Sequence, residues 1–305
     1  MSKIVVTGGA GFIGSQLARR LIEQGNEVLV YDDLSTGIRS NVYKDAKFIK
    51  GNVCNFAMVK KHLQGVDYVF HLAALASVPK SVDNPRLTEE INVGGTVNVL
   101  AASVQQGVKK VFLASSGSVY GDTPAPVQDE ESPLFPCSPY ALTKVSGELW
   151  CKLYSEEYKL PTVVLRYFNV YGPYGSSVSQ SSYSLVIPRF IRLAHKGEPL
   201  TIFGDGYQTR DYVHVDDVVD ATILSMSSDM VGVYNVGTGI KTSVNDIADY
   251  VKSALGSISL IVHEDPRLGD PRHACADIRK IASMGWQPKR ELAEEIRRMC
   301  NGTQN

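Results

Sequence analysis

The stretch Ile4-Val-Val-Thr-Gly-Gly-Ala-Gly-Phe-Ile-Gly14 decides the fold. Ile4-Val-Val6 is a short apolar run of the kind buried in a parallel sheet, and it breaks into the pattern Gly8-x-x-Gly11-x-x-Gly14. Helical spacing takes over from Phe12 to Gln24 and stops at Gly25. In such a strand–turn–helix unit one glycine lets the chain turn tightly and another lets backbone N–H groups approach a pyrophosphate. The third lets helix and strand pack closely. The helix N-terminus adds partial positive charge where a diphosphate would lie. Isolated glycine clusters serve ordinary tight turns; it is the position between strand and amphipathic helix that makes this one a dinucleotide cradle.

Working outward, strand and helix patterns alternate. Glu27-Val-Leu-Val-Tyr31, Lys47-Phe-Ile-Lys50, Tyr68-Val-Phe-His71, Lys110-Val-Phe-Leu-Ala114 and Thr162-Val-Val-Leu-Arg166 read as strands. Helices are expected near 55–64, over 85–106 and from Pro139 to Tyr158. Right-handed crossovers then lay helices on both faces of a parallel sheet. The fold expected is a Rossmann-type doubly wound α/β sheet with a smaller α/β substrate domain. The division falls at 1–168 for the dinucleotide part, with later segments returning to it, and 169–305 for the remainder. In that remainder Tyr171 to Tyr183 is rich in Gly and Ser and reads as a substrate loop. Helices follow near 185–196 and from Asp216, with strands at 200–203 and Val233–Val236. Thr242 to Leu255 is helical, with Ser243 as N-cap and Asp246 at the third helical position. Leu292, Ile296 and Met299 stripe a last helix.

Asp32 closes the second strand, where a carboxylate accepts the adenosine ribose hydroxyls. Asp32 and Asp33 would repel a 2′-phosphate and no arginine follows directly, which favours NAD over NADP. The 305 residues suffice for one large or two medium domains. With a net charge of -1 and no long Lys/Arg tract, the chain has no electrostatic footprint for nucleic acid or a membrane surface. No apolar run approaches the ~20 residues of a spanning helix. Cys54, Cys137, Cys151, Cys275 and Cys300 show no CxxC spacing and read as reduced thiols of a cytoplasmic protein, without a metal site.

Two further segments bear chemistry. Ser138-Pro-Tyr-Ala-Leu-Thr-Lys144 puts Tyr140 and Lys144 one helical turn apart, and Ser115-Ser-Gly-Ser-Val-Tyr-Gly121 offers a hydroxyl to the same site. With Thr7–Gly14 upstream and Arg166-Tyr-Phe-Asn169 downstream, the chain from Lys3 to about Pro288 resembles the extended short-chain dehydrogenase/reductase family, and within it the UDP-hexose 4-epimerases. The resemblance implies that Tyr140 is the general acid/base, with its phenol lowered by Lys144 and by the pyridinium of NAD. It makes Ser116 the hydroxyl that relays the proton and Lys144 the hold on the nicotinamide ribose. Hydride would leave C4 of the sugar and return to the opposite face of a 4-keto intermediate.

The same resemblance implies further NAD contacts. Phe12 and Ile13 join the glycines, and Ser35, Thr36 and Gly37 follow the two aspartates. Asn52 and Val53 would meet the adenine, with Asn52 standing where relatives carry Asp. Leu72, Ala73, Ala74, Asn92 and Tyr167 would complete the cofactor wall, with Ala76 in place of a lysine found in some epimerases. On the substrate side it implies Ser118, Asn169 and Val186, Phe203 in the uracil pocket, Arg210 and Arg267 on the diphosphate side, and Asp270 on the uridine ribose. Gly117 and Ser118 replace the Asp-Glu pair of dehydratases and the glutamate of decarboxylases, which favours oxidation and return. Ala274 stands where a bulky residue closes the pocket near the sugar C2 substituent. Its methyl predicts turnover of UDP-GlcNAc and UDP-GalNAc beside UDP-glucose and UDP-galactose. A UDP-glucuronate 4-epimerase, a net oxidoreductase releasing NADH and a regulatory NAD-binding protein are the alternatives. Family members pair as homodimers through two helices per subunit, here about 92–106 and 139–157.

Overall fold

The computed structural model of the chain describes residues 1–123, 125–173, 186–227, 229–266 and 272–302. Its centre is a seven-stranded parallel sheet. The strands, in chain order, are β1 (Lys3–Thr7), β2 (Glu27–Asp32), β3 (Lys47–Lys50), β4 (Tyr68–His71), β5 (Lys110–Ser116), β6 (Thr162–Tyr167) and, after four short strands, β11 (Gly232–Val236). Their spatial order is β11-β6-β5-β4-β1-β2-β3, so chain direction across the sheet reverses between β1 and β4. That reversal opens a crevice at the carboxyl ends of the strands, where doubly wound folds bind ligands.

Both faces of the sheet are covered. One carries α1 (Phe12–Glu23) and, later in the chain, α8 (Val215–Leu224), which close over Ile4, Val6, Val30 and Leu165 with Leu17, Leu21, Val218 and Val219. The other carries α2 (Phe56–His62), α5 (Gly95–Gln106) and α6 (Pro139–Glu157), closing over Val5, Val69, Val111, Leu113 and Val164. Burial on both faces explains why these strands read as continuous apolar runs. Helix α6 starts sharply because Ser138 accepts the Ala141 N–H at 3.1 Å and Pro139 occupies the first turn.

The expected helix over 85–106 is three pieces. Helix α3 (Val78–Asp83), which the sequence reading did not anticipate, begins at Ser77; α4 (Pro85–Glu89) begins at Asn84; a π turn over Glu90–Gly94 then leads into α5. Each start has an N-cap oxygen and a proline in the first turn. The π turn presents Asn92 sideways, with its amide bonded to both Leu75 backbone groups and to Thr143 on α6.

The rest of the chain builds a smaller α/β layer. Tyr171 does not open a loop, as expected. It closes β7 (Asn169–Tyr171), which pairs with β10 (Tyr212–His214). Strand β8 (Leu200–Phe203) pairs with β13 (Ile261–Glu264), and β9 (Thr209–Arg210) with β12 (Thr242–Ser243). Helices α7 (Val186–His195), α9 (Val244–Leu255) and α11 (Leu292–Gly302) enclose Ile187, Phe190, Ile202, Ile247, Val251 and Ile296. Ser243 and Asp246 form the expected capping box, although the helix begins at Val244. Short α10 (Arg279–Ser283) returns to the main sheet beside β11.

Candidate active site

The crevice begins at the glycine turn. Gly8 has φ +71°, and a Cβ there would come within 2.7 Å of the Ala73 nitrogen. A Cβ on Gly14 would fall onto the Gly8 carbonyl, so only hydrogen fits where α1 crosses the end of β1. Gly11 caps α1, and the helix turns its first N–H groups, from Phe12 and Ile13, along the crevice. Asp32 is buried and already accepts the Ala10 and Leu34 N–H groups at 3.0 and 2.8 Å. Burial raises its carboxyl above the ordinary value, and those two bonds oppose the rise. Asp33 caps the Ser35 N–H, with Thr36 exposed beside it, and Gly37 presses against the Asp32 carboxylate. Further along, Asn52 Oδ1 accepts the Cys54 N–H while Val53 is buried against Gly95.

Leu72, Ala73 and Ala74 continue the floor from β4. A buried relay lies beneath them: Thr7 Oγ1 accepts the Ala73 N–H and meets His71 Nδ1 at 2.7 Å, and His71 Nε2 meets Thr96 Oγ1 at 3.1 Å. Burial pulls the His71 imidazole down to about 3, so it is neutral. Nothing in the sequence pattern marks this histidine, because it reads as the last residue of a strand.

One residue expected on the cofactor wall has its side chain turned elsewhere. Tyr167 packs into the core on the α1/α8 face of the sheet, and its hydroxyl meets Thr222 Oγ1 at 2.8 Å, away from α6. The neighbouring Phe168 is the residue that lies against Gly117. Both N–H bonds of the Asn92 amide go to the protein, so Asn92 shapes the wall by holding Leu75.

The three expected catalytic residues are brought together. The Ser116 hydroxyl lies close enough to Tyr140 to lower its phenol. Ser116 Oγ also accepts the Ser118 N–H at 3.2 Å. Lys144 is buried, donates to the Ala114 carbonyl at 2.7 Å, and sets its Nζ 5.7 Å from the Tyr140 ring centroid. Burial pulls its ammonium down to about 8, and Glu148 on the next turn resists. The expected lowering of the Tyr140 phenol is not found in the chain by itself. Burial raises it, and Ser116 offsets only part of the rise. A cation brought by a ligand is the remaining means of lowering it.

On the substrate side, Ser118 Oγ is buried without a hydrogen-bond partner among the described residues. Asn169 is exposed at the start of β7, next to Phe168, and Val186 opens α7. The Arg189 guanidinium lies over the Phe203 ring at 5.2 Å. Arg210 Nη1 donates to the Thr209 carbonyl at 2.9 Å. Ala274 packs with Val119, Tyr120 and Phe168, beside the serine segment. Arg267 and Asp270 lie outside the described residues, as does most of the expected loop. Asp211, which sequence reasoning missed, is fully buried and accepts from Thr238, Gly239 and Ala276, fixing the strand that bears Arg210. Among the described residues no cluster of His, Cys, Asp or Glu is arranged to hold a metal ion.

A Rossmann sheet with a glycine cradle at its switch point and a Ser–Tyr–Lys group beside it defines a nicotinamide-dinucleotide enzyme. The chain belongs to the NAD dependent epimerase/dehydratase family, whose model matches residues 4–237. A UDP-glucose 4-epimerase from Thermotoga maritima, solved with UDP-glucose, superposes with a TM-score of 0.93 at 38% identity, covering 98% of this chain and 97% of that one. A UDP-N-acetylglucosamine 4-epimerase from Methanobrevibacter ruminantium, in complex with UDP-N-acetylmuramic acid, gives the same TM-score, identity and coverage. A UDP-glucuronate 4-epimerase from Thermodesulfobacterium geofontis is 33% identical over 315 residues, 99% of this chain and 96% of that protein. The enzyme is an isomerase and its cofactor is NAD.

Proposed function

We propose that this chain interconverts UDP-glucose with UDP-galactose, and UDP-GlcNAc with UDP-GalNAc, by inverting C4. The observation that carries this reading is Ser116 placed beside Tyr140, with buried Lys144 anchored to the Ala114 carbonyl one helical turn on. NAD, held by the cradle and Asp32, supplies a reversible hydride acceptor and a positive ring. Tyr140 moves the proton of the C4 hydroxyl, and Ser116 orients that hydroxyl and passes the proton on. Lys144 keeps positive charge beside the phenol. The buried Ser118 hydroxyl, without a hydrogen-bond partner among the described residues, supports a polar sugar contact at the same place.

Residues 1–168, with β11 and α8, would carry NAD, and 169–305 mainly the UDP-sugar, with Arg210 toward the diphosphate and Phe203 toward the base. Gly117 and Ser118 supply no second acid/base pair, which favours return of the hydride over elimination or decarboxylation. Relatives acting on three different sugars resemble this chain to a similar degree, so the sugar is argued from Ala274 alone. Ala274 packs against Val119 and Phe168, and a methyl in place of a tyrosine there supports acceptance of an acetamido group. NMR of the products from a panel of UDP-sugars tests this. UDP-GlcNAc and UDP-galactose should both turn over, and Ala274→Tyr should lose the first while keeping the second. Turnover of UDP-glucuronate alone would select the rival reading.

The chain would work as a homodimer. Leu142, Leu149 and Leu153 share the outer side of α6 at 58%, 62% and 42% exposure, an apolar strip that supports pairing with a second copy. Analytical ultracentrifugation should find twice the chain mass, and Leu149→Glu should shift it toward the monomer; a monomeric wild type would exclude this.

A further inference from the structure

Three consecutive residues at the end of β5 each face a different turn of α6. Ser116 lies beside Tyr140, the Ala114 carbonyl accepts Lys144, and Ser115 donates to Glu148. Glu148 is therefore the third member of the row Tyr140, Lys144, Glu148, at i, i+4 and i+8 on one helix face. Its carboxylate is buried and also holds Arg166 of β6. Nε lies 3.0 and 3.2 Å from the two oxygens and Nη2 lies 2.7 Å from Oε2. Arg166 pairs directly with the buried Glu148 carboxylate, and buried Lys144 lies one helical turn before Glu148, near enough to feel its charge. Arg166 continues the network to Tyr120, and Tyr120 to Asn235 of β11.

We propose that Glu148 is a positioning residue for the reaction, the buried anion that keeps the Lys144 ammonium charged and the Ala114–Ser116 strand end in register with α6. The inference rests on the functional reading above only for its effect on turnover. Charge is at stake because burial works against Lys144. The other titratable groups about Lys144 are neutral: Tyr140 on its own helix, whose phenol is raised, and His71 from β4, which stays uncharged. Around Glu148 are Arg166 from β6, Tyr120 after β5 and Cys151 on α6. Tyr120 and Cys151 are both pushed upward and neutral. Without Glu148 the lysine would have buried neighbours of no charge or of its own sign, a setting that favours the amine. A glutamine at 148 would also turn an amide N–H toward either Ser115 or Arg166.

The test uses the full chain labelled with 13Cε/15Nζ lysine, with the Lys144 signal assigned by its loss in Lys144→Met. In wild type its NMR titration should be centred at about 8. In Glu148→Gln the midpoint should fall by roughly one to three pH units, the usual effect of losing an adjacent opposite charge. The alkaline limb of kcat/KM should fall by the same amount. Because Glu148→Gln leaves Arg166 buried without its anion, Glu148→Gln/Arg166→Gln removes both charges and is titrated in parallel. A midpoint unchanged in a folded variant would overturn the proposal and leave Glu148 a packing residue. Should neither variant fold, a wild-type midpoint below about 6, where a buried lysine without a counter-charge falls, would overturn it alone. The titration needs no substrate, so an inactive wild type would count against the functional reading and not against this one.

Discussion

Tyr140 and Lys144 are paired by nothing more than four residues of helix, yet their surroundings set opposite demands. In the proposed reaction the phenol has to lose a proton, and burial in the chain alone discourages that. The ammonium has to keep one, and burial discourages that too. Both tensions ease when a positive ring and an anion are placed on the correct sides. A phenol whose proton transfer is the chemistry cannot be replaced by a phenyl ring. Tyr140→Phe should cut turnover by about 10²–10⁴-fold, the usual cost of one general acid/base, while NAD binding measured by fluorescence titration changes little. Near-normal turnover would remove Tyr140 from its role. The Tyr–Lys spacing and the serine are legible in the sequence because a helical row and a strand end impose them locally. Glu148 and Arg166 are not legible. A glutamate in a helix and an arginine at a strand end read as ordinary surface charges until β6 is laid next to β5.

At the scale of elements, the His71 relay ties β4 to β1 through Thr7 and to α5 through Thr96, beneath the turn expected to meet NAD. The folded imidazole sits at about 3 against 6.5 when free. Its contribution to stability is therefore complete above pH 6.5 and is lost as pH falls toward 3. Between pH 7 and pH 5 this one group should remove roughly 2 kcal/mol from the unfolding free energy. Urea unfolding at both pH values should show that loss in wild type and a smaller one in His71→Gln. Equal losses would mean that the histidine is hydrated or already charged in the fold. Elements with their own start signals were readable: α1 after its glycines, α6 from Ser138-Pro139, α9 from Ser243 and Asp246. The π turn at 90–94 was not, because it depends on Asn92 finding Leu75 and Thr143 across space. Strands β7, β9, β10 and β12 were missed for a related reason. Each is two or three residues long, and pairing with a distant partner defines it more than periodicity does. Strand β13 could have been read from the apolar run Leu260-Ile261-Val262, whose last two residues open it.

At the scale of the whole molecule, NAD in the proposed reaction belongs to the large sheet layer and the UDP-sugar mainly to the smaller one. The sheet and its crevice come from the first half of the chain, yet β11 and α8 return from the second half to finish that sheet and cover it. The Asp211 cage ties the β9–β10 segment to the turn after β11, while the Arg166–Tyr120–Asn235 bonds lock β6, the turn after β5 and β11 together within the main sheet. No helix among the described residues is long and apolar enough to cross a membrane. The central claim is that hydride leaves C4 and returns to the same carbon. UDP-galactose deuterated at C4, incubated with the enzyme in ordinary water and followed by NMR, tests this most directly. Conversion to UDP-glucose with deuterium kept at C4 and no accumulation of NADH is the predicted result. Deuterium lost to solvent, NADH accumulating with turnover, or no conversion at all would contradict it.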